Sequence, residues 1–256
     1  MKKAIVTLLD DNFIVGFEGF WKSFIYHNKW FLKSDIDLII LDNGLSEQSK
    51  NIVKKYNSKA IFRKIKYERY HKVNMKRTHD KLKATYYKLD IFGILEYDRL
   101  IFIDSDVTVL GSIREILECS KDFAACKSYN ARLDRLNNSI NSGVFVVNKK
   151  YIQKHIYHNL IKIATRGHNM PDQKTINIFF GNVMQYLSKG YNVEKRMWKT
   201  EKYKDVWNGK KILHWVADKP WMEYDDHQND IEKEFFEIYP IWWEYYNMNY
   251  EDIING

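Results

Sequence analysis

Two acidic residues follow directly on one of the most apolar short runs of the chain. Residues 99–110 read RLIFIDSDVTVL, so Asp104 and Asp106 come immediately after the apolar residues 100–103. A short, continuously apolar run is typical of a strand buried on both faces of a parallel sheet. Open α/β sheets bind ligands at the carboxyl ends of their strands, and buried carboxylates need a compensating charge such as a divalent cation. By itself the stretch is equally consistent with an acidic turn that only ends a strand.

The elements that must position these carboxylates alternate between strands and helices. Apolar runs predict strands at 4–9, 36–41, 60–65, 100–103, 123–126, 141–148 and 212–214. Apolar residues at helical spacing predict helices at 13–25, 46–56, 82–94, 113–117 and 152–163, and a further helix from 171. This alternation indicates right-handed βαβ units with parallel strands, and residues 66–83 are expected to form a basic surface segment. We predict one α/β domain over residues 1–256.

The composition limits the class of protein. The 256 residues are 45% hydrophobic and include only 3 Pro and 11 Gly, which suits a folded domain and argues against long disordered linkers. A net charge of +8 suggests an acidic partner such as a phosphate, a nucleic acid or a membrane surface, although the lysines are spread along the chain. The two cysteines fit neither a disulfide framework nor a zinc site, so we expect a reducing compartment.

Targeting and membrane-spanning patterns are not evident in the sequence. The start MKKAIVTLLDD has too short an apolar core for a signal peptide, and no run approaches the ~18 apolar residues of a membrane span. We therefore expect a cytoplasmic protein. The densely aromatic, helical segment at about 230–256 is expected to pack as core or to face an acceptor, with interfacial membrane contact as the alternative.

Four short motifs occur in order along the chain: FIDSDVTVL at 102–110, NSGVFVVN at 141–148, PDQKTIN at 171–177 and LHWVADKPW at 213–221. This ordered set resembles glycosyltransferase family 8, the family of glycogenin and of bacterial lipooligosaccharide galactosyltransferases. A weaker match, Thr7-Leu8 followed by Phe13, resembles the family's nucleotide-binding first loop. The resemblance covers roughly residues 4–221.

The resemblance implies a GT-A fold, in which helices flank a Rossmann-like, mostly parallel central sheet. It implies a Mn²⁺-dependent, retaining transferase that moves a hexose from a UDP-sugar, usually UDP-glucose or UDP-galactose, to a hydroxyl of a glycan, a lipid-linked sugar or a protein. It also implies that Asp104, Asp106 and His214 bind the metal. Two carboxylates and one imidazole suit Mn²⁺ better than Mg²⁺, which stays a candidate substitute. The cation would stabilise charge on UDP as it leaves. No nucleic-acid partner is expected, and a homodimer is left open.

The same resemblance assigns the other site residues. Asp172 and Gln173 match the catalytic pair beside the donor sugar, and Lys219 would add a counter-charge on the phosphates. The implied donor site comprises Thr7, Leu8, Asn12, Phe13, Arg77, Lys88, Asp104, Ser105, Asp106, Asn141, Ser142, Asp172, Gln173, His214, Ala217 and Lys219. Retention of configuration needs either a nucleophile below the anomeric carbon or same-face attack, and the sequence does not decide between them.

The sequence departs from the family pattern in two places. His214 and Lys219 are one residue closer together than in the family, and Ala217 stands in place of a glycine. The loop over the phosphates must therefore close differently. The first loop is also one residue short, which leaves the roles of Asp10, Asp11 and Asn12 open.

Plainer interpretations exist for single residues and for the whole chain. Asp172 alone fits a helix N-cap, His214 a core histidine, and Lys88 a solvated charge on a helix. The alternative function is a non-catalytic nucleotide-sugar or glycan-binding protein of the same fold. A nucleic-acid-binding module would need an RNP-like strand or a clustered basic helix, and a nucleotidyltransferase would not need the NSG and HxxxxKPW motifs. Self-glycosylation is not favoured, because no tyrosine lies at the family's acceptor position.

Overall fold

The fold is given by a computed structural model that describes residues 1–74, 76, 80–169, 171–222 and 233–256. The strands are β1 (Lys3–Leu9), β2 (Asp37–Asp42), β3 (Ile61–Lys64), β4 (Arg99–Ile103), β5 (Val107–Val109), β6 (Phe123–Asn130), β7 (Arg135–Asn148), β8 (Gln185–Tyr186), β9 (Val193–Glu194) and β10 (Ile212–His214). The α-helices are α1 (Ile14–His27), α2 (Glu47–Tyr56), α3 (Arg114–Leu117), α4 (Lys154–Ala164), α5 (Pro171–Phe180), α6 (Lys204–Asn208), α7 (Pro240–Asn247) and α8 (Tyr250–Asn255). A long 3₁₀ segment, Asp80–Gly93, leads toward β4.

The large sheet has the strand order β3-β2-β1-β4-β7-β6-β8. Strands β3, β2, β1 and β4 pair in parallel, as the strand–helix alternation predicts. Strand β7 runs antiparallel to both β4 and β6, so the expectation of parallel strands holds for only part of the sheet. The prediction of a mostly parallel α/β sheet is confirmed, and β7 is the exception. A smaller sheet, β5-β10-β9, lies beyond the end of β4.

The apolar run of β4 is explained by burial on both of its faces. Leu100 and Phe102 belong to one hydrophobic cluster, whereas Ile101 and Ile103 belong to a second cluster on the other side of the sheet. All four side chains are fully buried. Because successive side chains of a strand point to opposite faces, a strand covered on both faces needs apolar residues at every position.

Two local predictions have clear outcomes. The helix predicted at 46–56 is α2, and Ser46 is its N-cap, where its side chain accepts a hydrogen bond from the Ser49 amide. The segment 66–83 is not entirely on the surface, because Tyr70 is buried and its hydroxyl donates to Asp90 at 2.7 Å. The burial of this aromatic ring could not be read from a basic stretch without apolar periodicity.

Helix α7 packs its aromatic side chains against α1. Trp242 is fully buried, its ring stacks on Tyr246 at 4.7 Å between centroids, and it also lies 5.0 Å from the Trp221 ring. The close approach depends on Gly19 of α1, because a Cβ at this position would lie 2.4 Å from the Trp242 indole nitrogen. Trp243 of the same helix remains 39% exposed.

None of the helices in the described ranges combines the length and the apolar character needed to cross a membrane.

We expect Gly19→Ala to destabilise the fold. The added methyl group would displace the rigid Trp242 ring, at a cost of about 1–3 kcal/mol. The gain in helix propensity offsets about 1 kcal/mol of that cost. Urea denaturation measures the free energy of unfolding. Gly111→Ala is the control, because its Cβ would make only ordinary van der Waals contacts, the nearest with the flexible Lys211 side chain at 3.4 Å. Equal stability of the two variants would contradict this account of the α1–α7 contact.

Candidate metal centre

Backbone hydrogen bonds fix the turn that carries the two aspartates. The Asp104 amide donates to the Gly143 carbonyl of β7 at 2.8 Å. On the other side of the turn, the Trp215 amide donates to the Asp106 carbonyl at 2.9 Å. The turn is therefore held between β7 and the residue that follows β10, and both carboxylates face the space between them and His214.

His214 comes to the aspartates through the small sheet. It is the last residue of β10 and pairs in the antiparallel ladder with Val107 of β5. Its Nε2 lies 3.3 Å from Asp106 Oδ1 and 3.8 Å from Asp104 Oδ2. One ligand atom from each of the three residues lies within 4.8 Å of the others. A cation with bonds of about 2.0–2.6 Å brings its ligands no more than about 5 Å apart, so the three atoms fit one divalent ion.

Two buried lysines neutralise the carboxylates. Lys88 Nζ lies 2.8 Å from Asp104 Oδ2 and 3.2 Å from Asp172 Oδ2, so it bridges two acids from different elements. Lys219 Nζ forms a very short ion pair with Asp106 and donates to the Trp215 carbonyl at 2.6 Å. Both lysines are more than nine-tenths buried. The alternative of a solvated Lys88 is therefore wrong, because its ammonium group is held inside by carboxylates.

The pKa values of these groups follow from burial and from the neighbouring charges. Burial raises the pKa of Asp104, and the negative charge of Asp106 adds to this against the opposing charge of Lys88. Burial also acts to raise the pKa of Asp106, but Lys219 and His214 outweigh it and hold that pKa below its ordinary value. The pKa of Lys88 is raised, because Asp104 and Asp172 outweigh the effect of its burial. Of these two carboxylates, Asp104 is therefore the one whose negative charge is less fully compensated by its surroundings.

The catalytic pair predicted from the sequence lies at the start of α5. This helix begins at Pro171, so Asp172 is its second residue and the N-cap alternative is wrong. The Asp172 carboxylate accepts a hydrogen bond from Ser142 Oγ at 2.6 Å in addition to the Lys88 ion pair. Gln173 is half-buried, and its carbonyl accepts from Asn177. Asp172 and Asp104 are therefore linked by one shared ion-pair partner, Lys88.

Asn141 takes part in a hydrogen-bond network behind His214. Its Oδ1 accepts from the Gly143 amide at 2.8 Å and from Asn192 Nδ2 at 2.9 Å, and its Nδ2 donates to Glu194 at 3.2 Å. The Asn141 side chain, which was predicted to contact the donor sugar, therefore already uses most of its hydrogen-bonding groups within the protein. Asn192 and Glu194 were not predicted from the sequence. Their only local signal is that they flank Val193 at the two-residue spacing of a strand.

The predicted first loop approaches the acidic turn from the side of α1. A Cβ on Gly16 would lie 2.6 Å from the Trp221 ring and 3.1 Å from the carbonyl of Ser105, which is itself buried. The Phe13 ring meets Trp221 edge to face, with 6.4 Å between centroids. Residues 13–16, the acidic turn and the KPW motif are therefore neighbours.

Four other predicted donor-site residues have less distinctive surroundings. Thr7 is fully buried in β1, and its Oγ1 has no hydrogen-bond partner among the described residues. Leu8 packs partly buried against the hydrophobic core. Asn12 is exposed, and its amide donates to the Asp10 side chain at 3.0 Å. Arg77 lies outside the described residues.

Comparison with known proteins gives one family. The sequence profile described as Glycosyl transferase family 8 matches residues 4–225. The glycosyltransferase GlyF of Streptococcus pneumoniae is 23% identical over 99% of this chain and 63% of its own length. Glycogenin of Neurospora crassa is 23% identical over 66% of this chain and 24% of its own length. The chain thus spans less than two thirds of these curated relatives.

Solved structures share the fold. The crystal structure of the glycosyltransferase GlyE of Streptococcus pneumoniae superposes with a TM-score of 0.71 at 21% identity, over 100% of this chain and 62% of that chain. The galactosyltransferase LgtC, solved with donor and acceptor sugar analogues, superposes with a TM-score of 0.67 at 19% identity, over 93% of this chain and 95% of that chain.

Ala217 supports one prediction about the loop that carries Lys219. Its φ of +61° lies in the left-handed region, which disfavours residues with a Cβ by about 1–2 kcal/mol. We expect Ala217→Gly to relieve this strain, with about 0.4–1 kcal/mol offset by the greater entropy of the unfolded chain. Denaturant titration measures the resulting small gain in stability. Ala131→Gly, at an exposed residue without positive φ, should lose stability instead. Equal losses in both variants would contradict the strain at Ala217.

Proposed function

Because the chain belongs to glycosyl transferase family 8 and has the GT-A fold, we propose that it is a Mn²⁺-dependent, retaining hexosyltransferase. It would move glucose, galactose or a related hexose from a UDP-sugar to a hydroxyl acceptor on a glycan, a lipid-linked sugar or a protein. The main support is the group formed by Asp104, Asp106 and His214, whose ligand atoms fit one divalent cation and are flanked by two buried lysines. Oxygen and imidazole nitrogen ligands suit Mn²⁺.

The charges of the site suit an anionic donor once a cation is bound. Asp104, Asp106 and Asp172 together with Lys88 and Lys219 leave one net negative charge when His214 is neutral. A divalent cation would change this to one net positive charge, which favours a diphosphate. The cation would supply Lewis-acid stabilisation of the leaving diphosphate. Lys219, which pairs with Asp106, would add a second positive charge beside the diphosphate.

Asp172 and Gln173 are proposed to lie beside the donor sugar. The Asp172 carboxylate holds Lys88 and Ser142, so it orients two further side chains at the same time. A carboxylate at this point can serve as a nucleophile below the anomeric carbon or stabilise positive charge during same-face attack. Both routes use the ionised carboxylate, and Lys88 Nζ lies 3.2 Å from its Oδ2.

Turnover of UDP-sugars is the direct test of the proposed function. The chain is incubated with UDP-glucose, UDP-galactose and related donors, each with Mn²⁺, with Mg²⁺ or with chelator, and release of UDP is measured. We expect slow hydrolysis of at least one donor with Mn²⁺, faster transfer when a hydroxyl acceptor is present, and no reaction with chelator. Donor binding without UDP release in the presence of any acceptor would support the non-catalytic alternative. Absence of both donor binding and turnover would contradict the proposal.

The metal ligands are tested by single substitutions that preserve size. We expect Asp104→Asn and Asp106→Asn to weaken Mn²⁺-dependent UDP binding by about 10-fold or more, because each loses an anionic ligand and removes one carboxylate charge from beside a buried lysine. Calorimetric titration of UDP with saturating Mn²⁺ measures the change. Asp98→Asn is the matched control, since Asp98 precedes β4 at the opposite end of the same strand and bonds the Lys2 amide. Unchanged UDP binding in the two ligand variants would contradict the metal assignment.

A further inference from the structure

A chain of hydrogen bonds extends from His214 away from the aspartates. The His214 Nδ1 lies 2.9 Å from Asn192 Oδ1, and Asn192 Nδ2 donates to Asn141 Oδ1 at 2.9 Å. Asn141 in turn donates to Glu194 Oε1 at 3.2 Å. Asn192 and Glu194 are 2% and 4% exposed, so water competes little for these bonds.

The donor and acceptor of each hydrogen bond in this chain follow from the orientation of the Asn141 side chain. The Gly143 amide, 2.8 Å from Asn141, carries a hydrogen and can only donate, so the Asn141 atom that it meets must be the oxygen. The same orientation directs the Asn141 amide nitrogen to Glu194, whose Oε1 accepts it and the Tyr129 amide. Two independent partners therefore agree on the orientation of the Asn141 side chain, which atom positions alone would leave ambiguous.

The orientation of Asn141 determines the tautomer of His214. Because Asn141 presents its oxygen to Asn192, Asn192 must present its NH₂ group to Asn141 and its own oxygen to the imidazole. An amide oxygen only accepts, so His214 Nδ1 carries the hydrogen. In the neutral ring Nε2 then has the free lone pair, and this is the atom that lies 3.3 Å from Asp106 Oδ1.

We propose that Asn192 is a positioning residue that keeps His214 in the Nδ1–H tautomer, with Nε2 available to a divalent cation, and that Asn141 and Glu194 hold Asn192 in place. The part of this proposal that concerns the cation rests on the proposed function. Without Asn192, the nearby carboxylates would draw the hydrogen to Nε2, because both Asp104 and Asp106 face that atom. A hydrogen on Nε2 blocks metal ligation.

Gly143 adds a second constraint on the same ring. A Cβ at this position would lie 2.4 Å from His214 Cε1 and 2.6 Å from Nδ1. The imidazole therefore packs directly on the β7 backbone, and its plane is fixed by that contact. The contact with Asn192 then determines only which ring nitrogen bears the hydrogen.

Nitrogen NMR of the histidine-labelled, metal-free protein tests the tautomer directly, at a pH where the imidazoles are neutral. The His214 signals are assigned by their loss in His214→Gln. We expect Nδ1–H in the unmodified chain and a shift toward Nε2–H in Asn192→Leu. We also expect Asn192→Leu to bind Mn²⁺ about 10- to 100-fold more weakly, measured by electron paramagnetic resonance of the free ion.

Two further variants separate positioning from general damage. Asn192→Asp loses the donor to Asn141 as Asn192→Leu does, but it retains an acceptor for Nδ1–H, so it should restore the tautomer and most of the Mn²⁺ affinity. It also serves if Asn192→Leu does not fold. Asn28→Leu removes an equally buried asparagine that bonds Phe24 and Ile113, and it should lower stability without changing the His214 tautomer.

The outcomes distinguish this proposal from the proposed function. A His214 ring that stays Nδ1–H in Asn192→Leu, or an Asn192→Asp variant that behaves like Asn192→Leu, would overturn the role of Asn192. Absence of Mn²⁺ binding by the unmodified chain would instead contradict the proposed function, and the metal-free NMR signals would still decide the tautomer.

Discussion

Burial of three carboxylates at one edge of the sheet is the constraint on which the rest of the structure depends. Asp106 and Asp172 are more than nine-tenths buried, and the Asp104 side chain is 16% exposed. An unpaired buried charge costs about 3–5 kcal/mol, so each acid requires a partner from elsewhere in the chain. Lys88 comes from the 3₁₀ segment before β4, and Lys219 from the loop after β10. The relative positions of these distant segments are therefore set by charge as well as by apolar packing.

The reversal of β7 in the sheet follows the same requirement. A strand that runs antiparallel to β4 begins its paired region beside the carboxyl end of β4, which places Ser142 and Gly143 next to the acidic turn. Ser142 then reaches Asp172, and the missing side chain of Gly143 leaves room for the His214 ring. The small sheet brings His214 to the same turn, because β10 pairs with β5, the strand that directly follows the turn. Two sheets with different strand directions therefore meet at one group of side chains.

The aromatic C-terminal segment connects core packing to the site. Trp242 fits against Gly19 of α1 and contacts Trp221, which belongs to the KPW motif. Trp221 in turn contacts the first turn of α1 at Gly16, close to the Ser105 carbonyl. Because close-packed interiors transmit small displacements, a change in the α1–α7 contact is expected to reach the acidic turn. The stability of the fold and the geometry of the site are coupled through these two tryptophans.

The amino-acid sequence by itself predicted β4 and the first three parallel strands, because apolar periodicity is a local property. The family resemblance of its ordered motifs predicted Asp104, Asp106, His214, Lys88 and Lys219 as site residues, and the structure brings these five side chains together. The family profile and the strand order agree with the predicted fold class. The strands β5, β8 and β9 were not predicted, because two or three residues give only a weak periodic signal, although the three-residue strand β10 was predicted. Only the tertiary structure decided which charges pair, which way β7 runs, and that Asn192 and Glu194 lie behind His214. These facts depend on contacts between residues far apart in the chain, where local spacing carries no information about distance or hydrogen-bond direction.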